Sequence, residues 1–457
     1  MFPRDIQTEL KKWALKPNRK PLVLRGARQV GKTTVVDLFA KDFDQYIKLN
    51  LERSEDRIIF ERDYPFSDLV TTLFLNARKQ LNGRKTLIFI DEIQNSPKAV
   101  SLLRYFYEDT PDLYVIAAGS LLERLKDKSI SFPVGRVEYM VMRPCSFREF
   151  LTATGNGPLN EHLGQPDVPG FLHDQFTVWF KRYATTGGMP EVIATYANSA
   201  DLTALKPIYD SLIQSYSDDV EKYASSSAQV QYIRHIIMHA FGEAGTKITF
   251  EKFGNSSYRS REMKEAFLAL QKTMLLDLVY PCTSADFPAQ PSLAKKPRLH
   301  VVDTGLINHA RGLLGEMVFN ANISDVYRGL IAEHIVGQEL LAASYSVLHK
   351  IFFWTREKKE SSAEVDYVFP WNGKLIPVEV KSGSIGRLRS MHQFMDQAPH
   401  GIAVRVWQGP YSVEKAETIT GTSFTLLNLP FYLVHRLERE LDKIETPCHR
   451  AAGNPIP

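Results

Sequence analysis

The sequence predicts an α/β protein in three parts: a parallel sheet with flanking helices over 1–155, a mostly helical segment over 171–300, and a second α/β region over 301–440. Three observations predict it. Short apolar runs alternate with helix-like stretches through the first 150 residues, the pattern of a sheet built from βα units. The middle carries apolar residues at helical spacing, as in Met263, Phe267, Leu270 and Met274. After Pro297 a long helix, about 329–343, gives way to aromatic and β-branched runs between Ile351 and Val380.

The first sheet draws its strands from Leu22–Leu24, Tyr46–Leu51, Leu87–Ile90, Tyr114–Ala118 and Glu138–Met142. The stretch from Gly155 to Gly170 is rich in Gly, Pro and Asn and reads as a linker or long loop. Within the helical segment, three pieces spell a winged helix-turn-helix. They are the apolar Ile248-Thr249-Phe250, the polar turn Ser256–Ser260, and a helix Arg261–Met274 running into the β-like Leu275–Val279. The last dozen residues read as frayed.

Composition sets limits on function. The 457 residues are 44% hydrophobic and 24% charged, an ordinary globular balance. Lys plus Arg number 56 against 52 acidic residues, so the surplus of +4 does not by itself demand a nucleic-acid partner. The opening Met1-Phe2-Pro3-Arg4-Asp5 has no apolar core of a signal peptide, and no long uncharged apolar run predicts a membrane span. Three scattered cysteines, Cys145, Cys282 and Cys448, suit neither a zinc cluster nor a disulfide scaffold, and the expectation is a cytoplasmic protein.

Gly26-Ala27-Arg28-Gln29-Val30-Gly31-Lys32-Thr33 fits the P-loop pattern in full, with Thr34 next. It follows a strand and opens a helix, the context in which backbone amides and the helix dipole cradle phosphates. Lys32 is expected at the β- and γ-phosphates and the Thr33 hydroxyl on Mg²⁺. Thr86–Glu92 is an apolar strand ending in two carboxylates. Asp91 is expected in the metal shell and Glu92 beside the attacking water, with ATP and Mg²⁺ as cofactors. Gly119-Ser120 falls where Ser120 could sense the γ-phosphate or simply close a strand-end turn. Arg136 is a candidate arginine finger for a neighbour's ATP, with Arg143 as rival and a solvated arginine as the plain alternative.

The C-terminal region holds a second candidate site. Glu364–Phe369 and Leu375–Lys381 flank Asn372-Gly373, a favoured hairpin turn. Counting outward from Trp371 opposite Lys374 sets Asp366 against Glu379 and Glu364 against Lys381. Facing carboxylates repel unless a cation lies between them. One reading is a divalent metal held by Asp366 and Glu379, with Glu333 from the preceding helix, and Lys381 orienting a water for phosphodiester hydrolysis. The other is a solvated hairpin with a surface ion pair. Lys247, Lys252, Arg259, Arg261 and Lys264 of the winged segment either face DNA or form a solvated face.

Together these residues resemble prokaryotic AAA-type ATPases that carry a C-terminal domain of unknown function with a restriction-endonuclease-like, PD-(D/E)xK, core. Besides the P-loop and Asp91-Glu92, the likeness rests on Gly187-Gly188-Met189-Pro190-Glu191, Asp303-Thr304-Gly305-Leu306, Gly329–Glu333, Glu364-Val365-Asp366 and Val378-Glu379-Val380-Lys381. It implies an ATPase domain, the winged segment, and a nuclease-like domain whose metal ligands lie on the last two motifs. Such a core cuts nucleic acid or only binds DNA or a protein. The chain departs from its relatives at Ser217-Asp218-Asp219-Val220, where an arginine often stands at the place of Asp218. The expected function is ATP hydrolysis coupled to nucleic-acid binding or cleavage. The alternative is a nucleotide-controlled switch that exchanges protein partners. An Arg136 finger would require a homo-oligomer, and no membrane partner is expected.

Overall fold

The computed structural model describes residues 2–119, 133–222, 224–314, 329–357, 363–382 and 388–445. Five strands form the first sheet: β1 (Leu22–Arg25), β2 (Gln45–Asn50), β3 (Thr86–Asp91), β4 (Tyr114–Gly119) and β5 (Glu138–Val141). All neighbours run parallel in the order β2-β3-β4-β1-β5. Alternation explains why both faces are covered. Leu22, Leu24, Leu87 and Phe89 point into one core, while Val23, Ile88 and Ile90 point into the other. The second core is closed by the helices Ser54–Glu61, Phe66–Asn76 and Pro97–Glu108, the last started by Ser96, whose side chain accepts the Ala99 N–H.

The expected linker contains a helix. Gly157–Gly164 is helical with Pro158 in its first turn, where proline's fixed φ favours initiation. Leu163 is buried, and the carbonyls of Leu163, Gln165 and Pro166 accept from the Arg436 guanidinium at 2.8, 2.7 and 2.6 Å. A Gly/Pro-rich composition here therefore marks a short helix tied to the far end of the chain.

The middle segment is a set of helices ending in Ser227–Glu243 and Ser260–Lys272. After them β6 (Leu276–Val279) pairs antiparallel with β8 (Arg298–Val301), and the intervening β7 (Pro281–Cys282) joins another sheet. Ile248-Thr249-Phe250 is not a strand, although Lys247 bridges Arg298 just before it. That second sheet has seven strands in the order β13-β14-β12-β11-β10-β9-β7. Besides β7, its members are β9 (Phe352–Thr355), β10 (Glu364–Trp371), β11 (Lys374–Lys381), β12 (Ile402–Trp407), β13 (Ser412–Glu417) and β14 (Ser423–Pro430). β9, β10 and β11 run antiparallel, and β12 lies parallel to β11 after the helix Arg389–Met395.

The boundary expected at 300/301 cuts through packed structure. The helix Thr304–Ala310 packs on helices of the middle segment, and β7 belongs to the C-terminal sheet. One hydrophobic core runs from Ile6 through the middle helices to Leu441. Among the described residues no helix is long and apolar enough to cross a membrane. Cys145 and Cys282 are buried free thiols. The terminal segment expected to fray lies outside the described residues, apart from its link to the helix Leu437–Glu445.

Candidate functional site

The P-loop wraps between β1 and the helix Lys32–Phe39. Gly31 has φ +95°, a conformation costly for any side chain, and a Cβ on Gly26 would lie 2.4 Å from the Met142 carbonyl oxygen. Both glycines are therefore required by the backbone. Lys32 is buried inside the loop, its ammonium donating to the carbonyls of Gly26 and Ala27 at 2.9 Å each. Burial lowers its pKa, against the pull of Glu92 and Asp91.

The two halves of the phosphate site meet directly. The Thr33 hydroxyl donates to Asp91 Oδ2 at 2.6 Å, which puts two hard oxygen atoms side by side. These residues fit Mg²⁺, which prefers a few oxygens and keeps its remaining waters. Glu92 follows with φ 52°, and its Oε2 accepts from Gln94 Nε2 at 2.5 Å. Gln94 is packed against Gly119 at the end of β4, so the neighbouring strand fixes the side chain that holds Glu92. Nothing in the local sequence marks Gln94. Ser120 lies outside the described residues.

A cavity of about 490 Å³ opens over this site. Arg28, Gln29, Thr34 and Glu92 line it, and so do Phe2, Arg4 and Glu191 from distant parts of the chain. Arg4 braces its floor, donating to the Val30 carbonyl at 2.9 Å and the Arg143 carbonyl at 2.8 Å, and pairs with Glu149. Only the fold brings these together. Arg28 forms an ion pair with Asp219 and lies 3.9 Å from Glu52, while Lys222 bridges Glu52 at 2.8 Å and Asp219 at 3.3 Å. The Ser217–Val220 stretch thus reaches the P-loop through Asp219, whereas Asp218 accepts from Gln214 on the surface.

Arg136 does not reach this cavity. It precedes β5, whose Glu138 is level with Leu22 at the start of β1, so it lies at the edge of the sheet opposite the P-loop. There it pairs with Glu108 at 2.8 Å. Arg143 leaves β5 on the P-loop side, but its guanidinium is 3.2 Å from Asp277.

The hairpin of β10 and β11 runs in the register Trp371↔Lys374 through Tyr367↔Val378. Beyond it, Asp366 Oδ2 accepts the Val380 N–H at 2.8 Å. Glu379 is buried next to Asp366's strand, with Oε1 accepting from Lys381 at 2.7 Å and Oε2 buried without a hydrogen-bond partner. Glu364 does not face Lys381: it pairs with Arg298 and Lys247 instead. A register shift between Val365 and Val368 against β9 re-aims the start of β10. Lys247 is therefore turned onto a carboxylate, away from the basic face expected of it.

Glu333, on the helix Gly329–Ala342, lies 3.3 Å from Arg298. Burial and the nearby Asp366 push Glu333 up to about 8 and Glu379 up to about 7. Burial also raises Asp366. Burial is the largest cause in each case, because it disfavours the charged form of a carboxylate. Among the described residues, no three His, Cys, Asp or Glu side chains converge as a ready metal cage. Asp366 and the unpartnered oxygen of Glu379 nonetheless suit an ion that takes one or two carboxylates and keeps its waters.

A buried network links the two regions. Asp303 caps the helix Thr304–Ala310 by accepting from Leu306 N at 3.2 Å and also accepts from Gly188 N at 2.5 Å. Gln338 and Glu339, on the same helix as Glu333, bond Thr304 at 2.9 Å, and Tyr183 at 2.7 Å with Phe147 N at 3.0 Å.

Residues 18–151 match the family model of an AAA domain. Residues 177–316 and 328–432 match two domains of unknown function, DUF8612 and DUF4143. No curated protein matches the chain. Among solved structures, a Walker-type ATPase of Pyrococcus abyssi is similar at 15% identity and a TM-score of 0.44, over 68% of this chain and 96% of that one. The Orc1 protein of Aeropyrum pernix, in complex with DNA, matches at 14% identity and a TM-score of 0.29, over 68% and 92%. PCH-2 of C. elegans matches at 10% identity and 0.28, over 43% and 59%. Over residues 18–151 the chain is thus similar to AAA domains, which supports a P-loop ATPase domain there.

Proposed function

We propose that the chain hydrolyses ATP at the P-loop and couples turnover to nucleic acid engaged by the middle and C-terminal regions. Lys32 holds the phosphates, Thr33 and Asp91 the magnesium, and Glu92 the attacking water. The C-terminal region is read as a PD-(D/E)xK-type core. The observation that carries this is Asp366 bonded to the Glu379-Val380-Lys381 strand, with one Glu379 oxygen buried and unpartnered. The order helix, three antiparallel strands, helix and parallel strand supports it. In this reading Asp366 and Glu379 hold a divalent ion, Glu333 is a third ligand, and Lys381 orients a water. Exposed Lys252, Arg259, Arg261 and Lys264, around the helix Ser260–Lys272, supply a basic face for a phosphate backbone.

A second reading has its own support. Arg298 and Lys247 already neutralise part of the carboxylate cluster, as they would in a domain that holds a protein partner and does not cut. Phosphate release from ATP, with and without duplex or single-stranded DNA, separates the two. Stimulation by DNA that disappears in Glu92→Gln supports the nucleic-acid reading, and turnover indifferent to DNA supports the partner switch. Arg136, remote from its own P-loop, acts as a finger only on a neighbour's ATP. Specific activity then rises with protein concentration, and a flat response removes Arg136 from the mechanism.

A further inference from the structure

We infer that Arg298, with Lys247, is a built-in counter-ion of the carboxylate cluster, and that it competes with a divalent cation for that site. The inference rests on the metal-site reading of Asp366 and Glu379. Arg298 stands at the start of β8, in the middle segment, and its side chain is 8% exposed. One guanidinium nitrogen lies 3.3 Å from Glu333 Oε2 and donates to the Asp366 carbonyl at 3.2 Å. The other donates to Glu364. The group is thus wedged between the Glu333 helix and β10 at Asp366.

Lys247 reaches the same place from across the sheet. It bridges Arg298 in backbone register and pairs with the other oxygen of Glu364. Both cations lie over the Phe353 ring, Arg298 at 4.8 Å and Lys247 at 5.5 Å from its centre. The backbone behind them is fixed: Gly245 N donates to Leu299 O at 2.7 Å, and Leu299 N to Thr246 O at 2.9 Å.

Charge balance turns this geometry into competition. With all four carboxylates ionised, Glu333, Glu364, Asp366 and Glu379 face three cations, Arg298, Lys247 and Lys381. A dication added to that set leaves one positive charge in excess within a partly buried site. If Arg298 withdraws, the dication balances the carboxylates and Glu333 is released as a third ligand. A buried charge without its counter-charge is costly, so the two states exclude one another.

Titration of the nucleotide-free full-length chain with Mn²⁺, followed by the EPR signal of free Mn²⁺, tests this. The second site is identified as the one lost in Asp366→Asn. Its Mn²⁺ affinity should rise about tenfold in Arg298→Gln and about threefold in Lys247→Gln, in keeping with removal of a buried and a more exposed competing charge. Lys247→Gln also serves if Arg298→Gln fails to fold. Thermal melts provide a second readout: Mn²⁺ should raise the Tm of either variant more than that of the unaltered protein. A site whose affinity is unchanged or weaker in the folded variants overturns the competition while leaving the metal reading intact. The absence of any Asp366-dependent site, in the unaltered protein and in both variants, overturns the metal reading and the inference with it.

Discussion

Glu92 illustrates how a single contact sets chemistry at the residue scale. Its carboxylate is held by Gln94, and an oxygen occupied by that amide has less acceptor capacity left for the attacking water. Gln94→Ala should raise basal phosphate release several-fold without changing nucleotide affinity, and Glu92→Gln should cancel the gain. Loss of turnover in Gln94→Ala would mean instead that Gln94 aims Glu92 at the water. The buried acids give a pH signature. Glu379 and Glu333 titrate near 7 and 8 when folded, well above the roughly 4.3 of an unfolded glutamate. The native state therefore binds more protons between these values, and stability falls as pH rises from about 4.5 to 8. In EDTA, Tm should drop across this window. Glu379→Gln should flatten the slope, and a slope parallel to that of the unaltered protein would remove Glu379 as its source.

At the scale of elements, Gly187 joins two of them by conformation and close approach. It has φ +72°, and an added Cβ would meet Asp303 Oδ1 at 2.2 Å and Gly305 N at 2.5 Å. Gly187→Ala should cost more than about 2 kcal/mol and lower Tm by several degrees. A melt within a degree of the parent would show that the cap yields. Local chemistry made this part of the fold readable. Each expected strand of the first sheet lies within a residue or so of its predicted range, because apolar runs and their breakers are contiguous signals. Asn372 and Gly373 adopt φ 43° and 72°, as a tight hairpin turn requires. The partners of the site residues were hidden for a different reason. Asp219 meets Arg28, Arg298 meets Glu333, and Asp303 meets Gly188 across long stretches of sequence, and no periodicity encodes such pairs. The misplaced Glu364 was lost to the irregularity against β9, which no count outward from the turn can anticipate.

For the whole molecule, the core that runs from Ile6 to Leu441 argues for one cooperative unit. Calorimetry should give a single unfolding transition, and a fragment of 329–445 should not fold alone, since it strands the buried Glu339 and Gln338 without Tyr183 and Thr304. Two separated transitions would refute this. The helix Gly329–Ala342 has a further consequence. It carries Glu333 toward one end and Gln338 and Glu339 toward the other, roughly 9 Å along the axis at 1.5 Å per residue. Nearly every side chain from Ile331 to Leu341 is buried. Such a helix has no face on which substitutions are free to accumulate. A saturation library over these positions should be depleted almost throughout, with apolar positions as intolerant as the acidic ones. Selection on the carboxylate site and selection on the nucleotide-linked core then act on one short stretch of gene.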